Sequence, residues 1–152
     1  MRIGLGSDHR GFELKSKLID YLQHAGHECL DFGCYSLEAV DYPDFAVSVS
    51  QSVVKIQSEC GILICGSGIG MCIAANKIKG IRAATCYTPE LALRARKHNN
   101  ANILCLGSDF IDYTIAIEIT HNFIHTQFEG GRHQRRLDKI SAIESFKQIS
   151  LP

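Results

Sequence analysis

The chain lacks net charge: its 16 Lys and Arg residues balance 16 Asp and Glu residues over 152 positions. General nucleic-acid or membrane-surface binding draws on a basic excess, so neither is expected, whereas near-zero charge permits self-association. No apolar run approaches a membrane span and the amino terminus has no signal-peptide pattern. The seven cysteines, at 29, 34, 60, 65, 72, 86 and 105, are odd in number and form no C-x-x-C pair. That spacing fits neither a disulfide framework nor a zinc set. Cys29, Cys65, Cys86 and Cys105 fall inside apolar strand patterns, where the thiol serves as a small hydrophobe. A reducing cytoplasm is the expected compartment. Clustered carboxylates are missing, so no metal site is expected. Repeats, low-complexity tracts and linkers are missing too, and residues 1–152 are expected to form one domain with a full core.

What is present alternates. Strand patterns cover Arg2–Gly6, His27–Phe32, Cys60–Cys65, Ile81–Tyr87 and Ile103–Gly107. Helical spacing follows each one. Phe12, Leu14, Leu18, Ile19 and Leu22 share one face before Gly26. Phe45, Val49, Val53 and Ile56 space out a second helix after a loop over residues 34–44. Met71–Ile78 continues as a third, and Thr88-Pro89-Glu90 caps a fourth. The fifth runs from about Asp112 to Gln127. After Gly130-Gly131, one more helix carries Ile140, Ile143 and Phe146. The class is therefore α/β, with a five-stranded parallel sheet covered by helices on both faces and an extra C-terminal helix. That appendage completes no β-α unit; it packs on its own sheet or reaches over a partner subunit.

The chemistry-bearing segments stand at strand ends. The apolar strand Gly61-Ile62-Leu63-Ile64-Cys65 runs into Gly66-Ser67-Gly68-Ile69-Gly70, and a parallel sheet docks ligands at that end. The loop lacks Gly-Lys-Ser/Thr and is no Walker loop, but its amides can cradle an anion. Cys65 at a helix amino end has the setting of a usable thiolate. Gly4-x-Gly6 invites a dinucleotide reading that fails, because His9 stands where the third glycine belongs. Asp8 either caps the next helix or serves a site beside His9. His98 suits the end of its helix through the dipole, or acts as an acid. Arg132 and Arg136 share one helix face at an amino end that disfavours cations, a pattern suited to a phosphate dianion. A base, an oxyanion loop, an imidazole and an Arg pair together fit proton transfer on a phosphorylated sugar through an enediolate.

In order, Gly6-Ser7-Asp8-His9-Arg10-Gly11, Asp41-Tyr42-Pro43, Gly61 to Gly70, Ala74-Ala75-Asn76-Lys77, Gly80-Ile81-Arg82-Ala83, His98-Asn99 and Glu129-Gly130-Gly131-Arg132-His133 resemble the type B ribose-5-phosphate isomerase family. Galactose-6-phosphate and allose-6-phosphate isomerases form one branch of it. The resemblance spans about residues 1–145 and implies a Rossmann-like three-layer α/β/α sandwich. It also implies an aldose–ketose isomerase of the pentose phosphate pathway, without cofactor or metal. The expected assembly is a homodimer with shared active sites, or a dimer of dimers. By resemblance, Cys65 moves the proton between C2 and C1, and Ser67 with the loop amides of Gly66, Gly68, Ile69 and Gly70 holds the enediolate. His98 opens the furanose ring. Asp8, His9, Tyr42 and Asn99 line the sugar site, and Arg132 and Arg136 reach the phosphate across the dimer. Met71 and Cys72 follow the glycines where another branch carries a glutamate base, which places this chain with the cysteine type.

One position departs from the pattern. The family often reads Gly-Ser-Arg after the fifth strand, with that arginine on the phosphate; here Gly107-Ser108-Asp109 stands. Arg135 or another cation substitutes, or phosphate binding weakens, or the substrate differs. A six-carbon sugar phosphate isomerase and a non-catalytic sugar-phosphate or nucleotide sensor are the competing readings. A thiol redox switch is a third, resting on the cysteine count.

Overall fold

The computed structural model describes residues 1–145; Phe146, assigned above to the last helix, lies outside them. Five strands, β1 (Arg2–Ser7), β2 (Glu28–Asp31), β3 (Cys60–Cys65), β4 (Ala83–Thr85) and β5 (Ile103–Gly107), form one parallel sheet in the order β2-β1-β3-β5-β4. Six helices join them: α1 (Phe12–His24), α2 (Tyr42–Val54), α3 (Ile69–Ala75), α4 (Pro89–Asn99), α5 (Tyr113–His125) and α6 (Arg132–Ser145). None of the described helices is long and apolar enough to cross a membrane.

Strand period two sorts the core into two layers. Ile3, Leu5, Ile62, Ile64, Leu104 and Leu106 pack against α1, α4 and α5. Leu63, Cys65, Ile103 and Cys105 point the other way, against Ala46 and Val49 of α2 and Met71 and Ala75 of α3. This is the three-layer sandwich expected from the alternation. Gly4 and Gly6 belong to β1 itself, on the α2 side. A Cβ on Gly6 would stand 2.9 Å from the Val49 side chain. These glycines admit α2 to close packing, which accounts for them without any dinucleotide.

Local chemistry sets the helix ends. Thr88 Oγ1 accepts the Leu91 amide at 3.3 Å and Asp112 Oδ1 accepts the Ile115 amide at 2.9 Å, both as N-caps. The second helix begins at Tyr42, inside the stretch read as loop. Pro43 sits in its first turn, where a missing N–H costs nothing. β4 is shorter than its apolar run, spanning only Ala83–Thr85 at the sheet edge. Only His133 and Leu137 of α6 are buried, while Ile140 and Ile143 remain exposed. The latter two line a groove of about 480 Å³ with Ile81 and Ala84.

The strand order reverses direction between β1 and β3. The chain goes from β1 outward to β2, then returns to the other side of β1 for β3. Such a switch point opens a crevice at the carboxyl ends of the two strands.

Candidate active site

A cleft of about 360 Å³ occupies that crevice. The turn after β1 delivers Asp8 and Arg10, β3 and the loop after it deliver Cys65, Gly66 and Ser67, α3 delivers Gly70, α2 delivers Tyr42 and the turn after β5 delivers Asp109. Hydrogen bonds between loops hold these together. Asp8 N–H donates to the Ile64 carbonyl at 3.1 Å. The Ser108 amide donates to the Cys65 carbonyl and the Asp109 amide to the Gly66 carbonyl, each at 3.0 Å.

Cys65 is only 5% exposed, yet it borders the cleft. Its Sγ accepts the Gly68 amide at 3.1 Å. Gly68 takes φ +77°, the left-handed conformation that turns this amide back toward the strand end. The Ile69 amide donates to Ser67 Oγ at 3.2 Å, so two loop amides are already engaged. Those of Ser67 and Gly70 donate to no protein acceptor among the described residues. Tyr87 Oη donates to the Ser67 carbonyl at 2.8 Å and steadies the loop from below. The Tyr42 ring lies against Gly70, where a Cβ would come within 2.7 Å of Cζ.

Asp8 has a structural duty as well as a place in the cleft. Its Oδ1 accepts the Arg10 and Gly11 amides at 2.9 and 3.0 Å, fixing the turn into α1. His9 lies between the two cleft residues of this turn, and its Nδ1 accepts the Val40 amide at 3.3 Å.

His98, Asn99, Arg132 and Arg136 are not in this cleft. The reason is strand direction. α4 leaves the carboxyl end of β4 and returns to the amino end of β5, so His98 and Asn99 finish beside Asn100–Ala101. Cys65 pairs in register with Gly107 at the far end of β5. The length of that strand, roughly 13 Å at 3.3 Å per residue, separates the two levels. Within one chain, then, the single cleft expected from Cys65, His98 and the Arg pair does not form.

A second cluster forms instead around the start of α6. The His98 and His133 rings stack at 4.5 Å, within 10° of parallel. Glu129 reaches His133 Nε2 at 3.6 Å and Lys97 Nζ at 3.4 Å. Arg132 and Arg136 are exposed on either side of the buried His133. Burial, the His98 ring and both guanidiniums lower the His133 pKa, with Glu129 opposing them. His98, Glu129 and His133 bring possible ligand atoms within 4.8 Å of one another. The stacked rings and the flanking arginines nonetheless disfavour a cation there.

The thiols differ sharply. Burial raises Cys60 and Cys86 to about 12 and Cys29 to about 11, and pushes Cys105 well above the usual value. Cys72 alone is lowered, to about 6: a hydrogen bond from Cys105 outweighs burial, and Thr85 and Asn76 add donors. Sequence reading singled out neither Cys72 nor Arg10. Arg10 belongs to the Gly6–Gly11 segment at the carboxyl end of the first strand, which is the available signal. Cys72 gives none, since apart from Asn76 at the end of its own helix the groups that lower it come from β4 and β5.

The comparisons concern the chain as a whole. A family model described as Ribose/Galactose Isomerase matches residues 3–140. Ribose-5-phosphate isomerase B of Escherichia coli strain K12 is 43% identical over 143 residues, covering 94% of this chain and 96% of that one. The solved structure of Clostridium thermocellum ribose-5-phosphate isomerase B superposes with a TM-score of 0.95 at 46% identity, covering 95% of this chain and 98% of that one. That of Mycoplasma genitalium ribose-5-phosphate isomerase B with bound ribulose-5-phosphate gives 0.92 at 44% identity, over 95% and 96% of the two chains.

Proposed function

The chain belongs to the ribose/galactose isomerase family, and from that membership we infer that it is an aldose–ketose isomerase interconverting ribose 5-phosphate and ribulose 5-phosphate. The reaction carries a proton from C2 to C1 through an enediolate. It is intramolecular and redox-neutral overall, so it requires no redox cofactor. It does require a base beside the carbon, donors for the oxyanion and an acid to open the sugar ring.

Cys65 is the proposed base. The observation that carries this is its position: a thiol at the end of β3, bordering a cleft whose other wall is the glycine loop. As thiolate it takes the C2 proton and returns it to C1. Ser67 and the Gly66–Gly70 loop hold the enediolate oxygens; the Ser67 and Gly70 amides have no competing acceptor among the described residues. Tyr42, Asp8 and His9 bound the sugar.

His98 is the proposed ring-opening acid, with Asn99 beside it and Arg132 and Arg136 on the phosphate. They lie at the wrong end of the sheet to serve their own Cys65, so a second copy supplies them. The working unit is then a homodimer with shared sites, alone or paired into a tetramer. Exposed Ile140 and Ile143 on α6 support an extension over a neighbour. The seven free thiols favour a reducing cytoplasm.

The test is exchange of the C2 proton of ribose 5-phosphate in deuterated water. Wild type exchanges and turns over; Cys65→Ala binds the sugar phosphate but does neither. Full activity in Cys65→Ala would overturn the mechanism. Comparing kcat/KM for five- and six-carbon sugar phosphates decides substrate length, with the pentose expected to lead.

A further inference from the structure

We propose that Arg10 is a phosphate-binding residue of the Cys65 cleft and that Asp109 is the positioning residue that aims it. This rests on the isomerase reading and goes beyond it, because it assigns the cation that replaces the arginine missing at position 109.

The cleft is short of positive charge. Asp8 and Asp109 both line it, and Arg10 is the one cation among its described lining residues. Without Arg10 this chain's own wall of the shared site would present two carboxylates to a phosphate dianion and no cation, leaving all the positive charge to the second copy, and like charges at such range repel. The Arg10 Nη2 group donates to Asp109 Oδ2 at 2.5 Å, across 99 residues of sequence. No other hydrogen bond engages the guanidinium among the described residues, so its remaining donors are open to an anion.

Stability does not account for the pair. The Arg10 side chain is 57% exposed and that of Asp109 is 38% exposed. An ion pair in so much water contributes little to folding. Its placement is nevertheless tightly built. A Cβ on Gly66 would meet Arg10 Nε at 2.7 Å and Asp109 Oδ2 at 2.8 Å. The pair therefore lies directly on the backbone of the glycine loop, and only glycine admits it there. Ser108 Oγ, next to Asp109, donates to the Arg10 carbonyl at 3.1 Å and to the Cys65 carbonyl at 3.3 Å. The turns after β1, β3 and β5 thus meet at Arg10, Gly66 and Asp109.

An acid at 109 would repel phosphate if it faced the ligand alone. Holding a guanidinium, it instead restricts a flexible side chain to one orientation over the loop, and a forked donor fixed in advance binds a phosphate with less loss of freedom.

Kinetics with ribose 5-phosphate, and thermal protection by inorganic phosphate, test this. In Arg10→Ala the KM is expected to rise about ten- to a hundredfold, the loss of one charge-assisted contact. kcat should fall much less, and protection by phosphate should shrink. Asp109→Ala should raise KM by a smaller factor. The double variant Arg10→Ala with Asp109→Arg, which moves the guanidinium to the other side of the pair, should recover most of the lost affinity. Unchanged KM and unchanged phosphate protection in Arg10→Ala would overturn the proposal. If wild type turned over no sugar phosphate, the isomerase reading would fall. Phosphate protection would still judge Arg10: a smaller shift in Arg10→Ala supports the assignment, and an equal one overturns it.

Discussion

His133 lies face to face with His98, the two rings 4.5 Å apart. A pair of imidazoles so placed cannot both take protons without repulsion, and Arg132 and Arg136 add to it. Burial above all, then His98 and the two guanidiniums, hold the folded-state pKa of His133 below its ordinary value of 6.5. The unfolded chain binds this proton more readily than the folded one, so this contribution to stability is complete above 6.5 and is lost as pH falls below 6.5 through the lower folded-state value. His27, lowered by burial, by the amino terminus and by His125, works in the same direction. The melting temperature should fall between about pH 7.5 and about pH 5.5. His133→Gln should flatten part of that slope. An unchanged slope in this variant would remove His133 from the explanation.

The shared-site arrangement has a sharp test. Cys65→Ala and His98→Ala should each be inactive alone. In a mixed dimer one site carries both lesions and the other carries neither. Unfolding and refolding an equal mixture should recover about one quarter of wild-type activity, from statistical pairing in a two-fold dimer. No recovery, with mixed dimers demonstrated, would show that both residues act within one chain.

Gly107 supports the loop from the neighbouring strand. A Cβ there would lie 2.6 Å from the Ser67 carbonyl oxygen, and backbone cannot rotate out of the way. Gly107→Ala should cost about 1–3 kcal/mol in denaturant unfolding, as overpacking does. It should also lower kcat, because Ser67 shifts. Gly70→Ala meets the Tyr42 ring instead, a side chain that can move, so its effect should appear mainly in KM.

Cys72 should be the most readily alkylated thiol. Hydrogen bonds lower its pKa to about 6 against the opposing effect of burial, and it is only half-buried. Brief iodoacetamide treatment of the folded protein, followed by peptide mass mapping, should label Cys72 first. Cys60, Cys86 and Cys105, all raised and buried, should label only after unfolding. Asn76→Ala should raise the pH at which Cys72 reacts, since it removes one donor.

Much of this is legible in the sequence. The strand at Cys60–Cys65 and its glycine loop followed from an apolar run ending in Gly-Ser-Gly, and Thr88-Pro89 marked its helix correctly. Gly4 and Gly6 were harder. Glycines within a strand and glycines after one look alike in sequence, and only the approach of Val49 separates them. The Arg10–Asp109 pair was invisible because nothing local joins residues 99 positions apart. The distance between Cys65 and His98 could have been read. A helix linking parallel strands must run back along the sheet, so its last turn lies at the end opposite the strand tips.

That antiparallel return has a consequence for the enzyme in dilute solution. On the shared-site reading, a newly made chain is silent until it meets another. Below the dissociation constant of the dimer, specific activity should therefore climb with protein concentration instead of staying constant.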